Sequence, residues 1–361
     1  MLAKNENINI LYKSKYTKFG IEKYAPQTQE DKNKSKTAYQ IKEISNETIA
    51  DCWLKQKGNN CRYNAFITLF YFSISPFLTT LKDRNLILLN ELNKLITKIA
   101  ENINYKNYCD IIIFLQKNKF DSNNEKIDEI IKEEDEKKKE ELIKKLKFDD
   151  TIDFTSSGYA AQLFSIFNNN IYFCLRENKE SECIICGNKK TEEITNMQPF
   201  VFINGNNINN ASIFNLFLEK YKEIYSYACE CRKDNNEDVL CLRVKYNILS
   251  YPVFLFLLFD FQYNELTNYK DKIYKLLKDK ITLNFRTEYR LIGIIGAPKI
   301  NHYNAIIFNP MGPSINKKFT PNNIYYHDGM LNNGCIISLK KGEDWKSIGI
   351  PYIALYKKIE E

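Results

Sequence analysis

Helical periodicity fills the first half of this chain and strand alternation its last third, and the two are not interleaved. Apolar residues recur at three- and four-residue spacing from about Ala65 to Phe77, from Leu81 to Ile99 and from Tyr108 to Leu115. Gly158 to Phe167 is a further helical stretch, after which the texture changes to short strands and loops as far as Cys241. Tyr251–Phe261, Tyr289–Ile295, His302–Phe308 and Ile350–Tyr356 then read as strands. Helices first and strands later, without regular βα alternation, predict an α+β fold. At 361 residues the chain buries a substantial core as one large domain or two ordinary ones. No internal repeat is present.

The flanks and insertions have their own composition. Residues 1–48 are polar and rich in Lys and Asn, and are expected to form an extension ahead of a folded domain at 49–358. Asp121 to Phe148 is nearly all Glu and Lys, and opposite charges three and four apart support a solvated helix or a partly ordered insertion. The longest apolar run, Val253 to Phe259, falls short of the roughly 18–20 residues that a membrane span needs. Lys4, Asn5 and Glu6 stand where a secretory signal would place apolar residues, so a cytoplasmic and/or nuclear location is expected. The net charge of +7 comes from interleaved acidic and basic residues, which reads as a solvated basic surface rather than a nucleic-acid site.

Two histidines in 361 residues restrict any catalytic assignment. Cys61 opens an apolar helical run within Gly58-Asn59-Asn60-Cys61-Arg62-Tyr63-Asn64-Ala65-Phe66, with Gln56 just upstream. A thiolate nucleophile needs an imidazole to tune it and to protonate the leaving group. A carboxylate or amide must then fix that imidazole's tautomer. Cys61, His302 and Asp328 meet those needs, with His302 at a strand start and Asp328 following the strand Ile324–Tyr326. Gln56 supplies a side-chain amide for a developing oxyanion, helped by backbone N–H groups at the helix start. His327 is the rival base, although strand alternation turns it away from Asp328. Cys61 as a buried apolar thiol is the plain alternative.

These segments resemble the ubiquitin-specific proteases, a papain-like cysteine peptidase family that cleaves after the ubiquitin C-terminus. Gln56 through Phe66 is similar to that family's Cys box, and Leu291–Ile295 followed by Asn301-His302-Tyr303-Asn304-Ala305 to its His box. Tyr325-Tyr326-His327-Asp328, Tyr251–Leu257 and Ile350–Tyr356 resemble later strands of the same domain. The resemblance implies a papain-like fold with a helical thumb (about 50–167), zinc-ribbon fingers (about 168–246) and a β-rich palm (about 247–358). It implies Cys61 as nucleophile, His302 as base and acid, Asp328 as orienting residue and Gln56 as oxyanion donor. The implied activity is thiol-dependent hydrolysis of (iso)peptide bonds at the C-terminus of ubiquitin. The alternatives are a protease for another ubiquitin-like modifier, or a non-catalytic ubiquitin-binding scaffold of the same fold.

A second cysteine set fits the fingers of that family. Cys183-Ile184-Ile185-Cys186-Gly187 has the shape of a zinc knuckle, and Cys229-Glu230-Cys231 is the second pair toward a tetrahedral structural zinc. That pair is CxC rather than CxxC, so Cys241 or Cys174 stands as a substitute ligand, and unligated thiols are the other reading. The chain departs from the family at Asn301, at Thr68 and in the helix Gly158–Leu163. There Tyr159 and Gln162 replace acidic residues that serve recognition of the modifier's tail.

Overall fold

The computed structural model describes residues 49–54, 60–78, 86–103, 105–120, 125–145, 160–195, 199–206, 208–209, 212–213, 224–226, 241–261, 263–283, 286–299, 302–308, 324–330, 334–339, 345 and 349–359. Gln56, Tyr159, Cys229, Cys231 and Asn301 lie outside the described residues, as does the 1–48 segment.

The helices are α1 (Cys61–Leu69), α2 (Ser75–Leu78), α3 (Ile87–Glu101), α4 (Tyr105–Lys117), α5 (Glu125–Lys132), α6 (Glu136–Lys145), α7 (Ala160–Leu163) and α8 (Tyr263–Leu276). A π-helical turn, Phe70–Ile74, joins α1 to α2, and a 3-10 turn, Phe164–Phe167, extends α7. Every residue of α1 is buried, Arg62, Asn64 and Thr68 included, so the helix presents no solvent-facing stripe. The insertion is only partly solvated. Ile127 and Ile130 of α5 enter the core, whereas α6 buries no residue.

The strands are β1 (Ile49–Cys52), β2 (Arg176–Cys183), β3 (Lys189–Thr195), β4 (Phe200–Ile203), β5 (Ile224–Ser226), β6 (Leu242–Ser250), β7 (Phe254–Phe259), β8 (Lys280–Leu283), β9 (Thr287–Lys299), β10 (His302–Phe308), β11 (Ile324–His327), β12 (Cys335–Ser338) and β13 (Ile350–Lys358). They form a nine-stranded sheet in the order β1-β12-β11-β10-β9-β13-β7-β4, with β8 beside β9, and a four-stranded sheet in the order β3-β2-β6-β5. The molecule is thus α+β, with the helices early and the strands late. α8 is the exception, because a Lys-, Asn- and Tyr-rich sequence hides its apolar stripe of Leu266, Ile273 and Leu276 inside a segment that otherwise reads as strands. No helix among the described residues is long and apolar enough to cross a membrane.

The large sheet is covered, so its central strands read as continuous apolar runs rather than alternating ones. All six residues of β7 are buried. Phe173 stacks on Phe254 at 5.1 Å between ring centroids, and Phe164 meets Phe256 edge-on at 5.1 Å. Pro351 lies inside the buried strand β13, where it is accommodated because the register with β9 shifts between Pro351 and Ile353.

α1 packs across β9 and β10 at a point thinned by glycine. A Cβ at Gly293 would stand 2.1 Å from Leu69 Cδ1. Leu69 is fully buried, so its side chain must repack to admit the methyl. Gly293→Ala is therefore expected to cost about 1–3 kcal/mol through overpacking, read as a lower midpoint in urea unfolding. An unchanged midpoint would show that α1 shifts freely on the sheet.

Candidate active site

The packing of α1 on the sheet sets the positions of the reactive groups. Cys61 is the first residue of α1 and is 4% exposed. His302 is the first residue of β10, and Asp328 directly follows β11, the neighbouring antiparallel strand. The ladder between β9 and β10 shifts register between His302 and Asn304, because Lys299 pairs with His302 and Gly296 with Asn304. The extra residue lies on β9 beside Pro298, and such a bulge re-aims the side chain next to it. Here that side chain is His302.

His302 Nε2 lies 2.9 Å from Asp328 Oδ2 and 3.0 Å from Oδ1. An ionised carboxylate only accepts, so Nε2 carries the proton and donates it. The ring also holds a hydrogen bond with the Cys61 thiol, for which Nδ1 is the nitrogen left. Burial disfavours a charged His302, but its bonds to Asp328 and Cys61 more than offset that and push its pKa up to about 9. Burial likewise raises the carboxyl of Asp328, and the bond and charge of His302, with the Met330 N–H and His327, reverse that and hold it below its ordinary value. The arrangement is a buried ion pair, one atom shell from a sulfur at a helix start.

Asp328 is held from three sides. Besides His302, its Oδ1 accepts the Met330 backbone N–H at 2.9 Å and its Oδ2 accepts the Tyr326 hydroxyl at 3.1 Å. Asn304 Nδ2 in turn donates to the Tyr326 hydroxyl at 3.2 Å. Neither Asn304 nor Tyr326 was singled out from the sequence. The available signal was alternation, since Asn304 shares a strand face with His302, and Tyr326 with Asp328. Asn304 fits because Gly296 makes room for it, since a Cβ there would come within 2.4 Å of its Oδ1.

His327 points to the opposite face, toward α1. Its Nε2 lies 3.0 Å from the Leu54 carbonyl and its Nδ1 3.3 Å from Thr68 Oγ1. Burial pushes its pKa down to about 4, and the ring is neutral near pH 7. It neither meets Cys61 nor stands as a second base for it.

The first cysteine pair, Cys183 and Cys186, lies at the β2–β3 turn. The Cys186 N–H approaches Cys183 Sγ at 3.5 Å, and Gly187 takes a φ of +71°, a left-handed conformation that glycine adopts without strain. A tight CxxC-Gly turn with a backbone N–H aimed at sulfur suits two thiolate ligands of a zinc, so this half of the site fits the metal. Among the described residues no group of three or more Cys, His, Asp or Glu is arranged to hold a metal. Cys241 runs beside the knuckle, its carbonyl accepting the Ile184 N–H at 2.9 Å. Cys174 lies at the other end of β2, buried with its thiol on the Phe167 carbonyl at 3.3 Å. Burial pushes that thiol up to about 11, and the length of β2 removes it as a substitute ligand.

No protein-family model matches the chain, and no curated protein does. Among solved structures, the chain is similar to a chain of the yeast SAGA DUBm containing an Sgf73 variant. The TM-score is 0.46 with 11% identity, over 92% of this chain and 76% of that one. It is also similar to a chain of the SAGA DUB module Ubp8/Sgf11/Sus1/Sgf73 bound to monoubiquitin, with TM-score 0.47 and 10% identity over 91% of this chain and 74% of that one. A third likeness is to the Saccharomyces cerevisiae apo Pan2 pseudoubiquitin hydrolase-RNA exonuclease module in complex with AAGGA RNA. There the TM-score is 0.47 with 16% identity, and the match covers 87% of this chain and 54% of that one.

Proposed function

We propose that this chain is a thiol-dependent deubiquitinase that hydrolyses (iso)peptide bonds at the C-terminus of ubiquitin. One observation carries the chemistry: Cys61 hydrogen-bonded to a buried His302 that Asp328 holds through Nε2. The modifier is argued from the motifs around those residues, which resemble the ubiquitin-specific proteases. In the proposed reaction the Cys61 thiolate attacks the carbonyl carbon and His302 protonates the departing amine, leaving a thioester. His302 then takes a proton from water, whose oxygen displaces the sulfur. Gln56 and the N–H groups at the start of α1 would stabilise the oxyanion at each tetrahedral stage.

The thumb, fingers and palm assignments, and a cytoplasmic and/or nuclear location, belong to the same reading. A structural zinc held by Cys183, Cys186, Cys229 and Cys231 would brace the β2–β3 turn and take no part in the reaction, since four protein ligands leave no open position. A ubiquitin-like modifier other than ubiquitin is the alternative substrate, because Tyr159 and Gln162 depart from the family's tail-binding residues.

The test is a panel of ubiquitin and ubiquitin-like proteins carrying a C-terminal electrophile. Wild type is expected to form a covalent adduct with ubiquitin, visible as a mass shift, and Cys61→Ala is expected to form none. Labelling by another modifier alone moves the assignment to that modifier, and no labelling by any of them overturns the reading.

A further inference from the structure

We infer that His327 is a positioning residue for the triad, tying the nucleophile's helix to the strand that carries Asp328. The inference rests on the proposed thiol chemistry at Cys61. β11 presents neighbouring side chains to opposite faces, so Asp328 reaches His302 while His327 reaches α1. Thr68 lies about two helical turns beyond Cys61, at 3.6 residues per turn, and so shares the side of α1 that faces the sheet. The helix is thereby fastened at both ends, by Cys61 to His302 and by Thr68 to His327. The two fastenings reach neighbouring strands, β10 at His302 and β11 at His327.

The hydrogen bonds assign the tautomer. The Leu54 carbonyl only accepts, so His327 Nε2 carries the proton, and the neutral ring leaves Nδ1 with a lone pair facing the Thr68 hydroxyl. Thr68 Oγ1 accepts the Trp53 indole N–H at 2.9 Å and also lies 2.5 Å from the Asn64 carbonyl. Its single proton goes to the Asn64 carbonyl, so its approach to His327 Nδ1 at 3.3 Å is the weaker contact. Leu54 O is approached in addition by Asn64 Nδ2 at 3.4 Å. Imidazole and hydroxyl thus join α1, β11 and residues 53–54, which in sequence lead directly to Gln56. A phenyl ring at 327 would fill the volume and make none of these bonds. Misplacing reacting atoms by about 1 Å costs up to 10²-fold in rate, so loss of the strut is expected to act on the chemical step.

The experiment compares wild type with Thr68→Val, Thr68→Ser, His327→Phe and the Thr68→Val/His327→Phe pair. Three quantities are read: kcat and KM on a ubiquitin-derived fluorogenic substrate, the alkylation rate of the Cys61 peptide by iodoacetamide, and the melting temperature. Thr68→Val and His327→Phe are each expected to lower kcat about tenfold with KM within about twofold, and the double variant to lose less than the product of the two, because the Thr68–His327 contact is common to both. Thr68→Ser, which keeps the hydroxyl, is expected to stay within about twofold of wild type. A wild-type kcat in Thr68→Val with only a lower melting temperature overturns the inference, as do losses that multiply in the double variant. Should His327→Phe fail to fold, the Thr68 pair still decides. Should wild type turn over no ubiquitin substrate, the deubiquitinase reading fails separately. The Cys61 alkylation rate then decides the inference, with a fall of about tenfold in Thr68→Val supporting it and an unchanged rate overturning it.

Discussion

His302→Ala should reduce kcat on a ubiquitin-derived fluorogenic substrate by on the order of 10⁴–10⁶-fold while leaving the fold intact, because one ring performs every proton transfer in the proposed cycle. It pairs with the sulfur before attack, protonates the amine at thioester formation, and takes the proton of water at hydrolysis. Among the described residues no second histidine is within reach. His327 is the other histidine of the chain, and its ring nitrogens are committed to Leu54 and Thr68 on the far face of the strand. The residual rate would come from binding and oxyanion stabilisation alone. KM should change little, since His302 is buried behind the sulfur and contributes proton transfer rather than binding. Far-ultraviolet circular dichroism and melting temperature separate this outcome from misfolding. A variant that keeps even a tenth of wild-type kcat would remove His302 from the role and with it the triad.

Cys61, His302 and Asp328, the candidate site residues that the structure describes, were legible in the sequence because the proposed chemistry demands scarce residue types and strands expose them with a period of two. With two histidines present, strand alternation alone separates His302, which begins a strand, from His327, which must face away from its neighbour Asp328. The apolar helices and the buried strands of the large sheet were legible for a related reason, since burial on all sides writes itself as uninterrupted hydrophobicity, as in Phe254–Phe259. What stayed hidden depends on contacts between elements. The bulge that aims His302 leaves no mark except Pro298, and the support of Asp328 by Asn304 and Tyr326 exists only once β10 and β11 are in register. Thr68 likewise reads as an ordinary helix residue until α1 is laid on the sheet. α8 was missed because its core-facing positions are diluted by Lys, Asn and Tyr, whereas the insertion's Ile127 and Ile130 were visible but their burial was not.

Replacing Asp328 separates charge from geometry. Asp328→Ala is expected to lower kcat by about 10³–10⁴-fold, and Asp328→Asn by roughly 10–10²-fold. The amide is the milder change because its oxygen can still accept the Met330 N–H and the His302 Nε2 proton, which preserves the tautomer that leaves Nδ1 for Cys61. It loses the negative charge and the acceptor that the Tyr326 hydroxyl uses. Both variants should also change the pH profile in a fixed direction. Burial lowers the pKa of His302, and the bonds with Asp328 and Cys61 are what lift it to about 9. With the carboxylate removed, burial gains weight, so the alkaline limb of kcat/KM, expected near pH 9 in wild type, should move toward neutral pH. The same linkage acts on stability. A histidine whose pKa is raised in the folded state stabilises fully below about pH 6.5, and that contribution fades as pH rises through about 9. The lowered Asp328 contributes above its ordinary value of 3.8 and its share is lost in acid. His327, held near 4, opposes folding increasingly as pH falls from about 6.5 toward 4. The wild-type melting temperature should therefore fall on both sides of a maximum near pH 6.5, with the alkaline loss complete near pH 9. In Asp328→Asn the alkaline decline should be smaller and end at lower pH, while the His327 part of the acid decline persists. An alkaline limb that stays near pH 9 in both variants would show that Asp328 does not set the charge of His302, and its place in the triad would be lost.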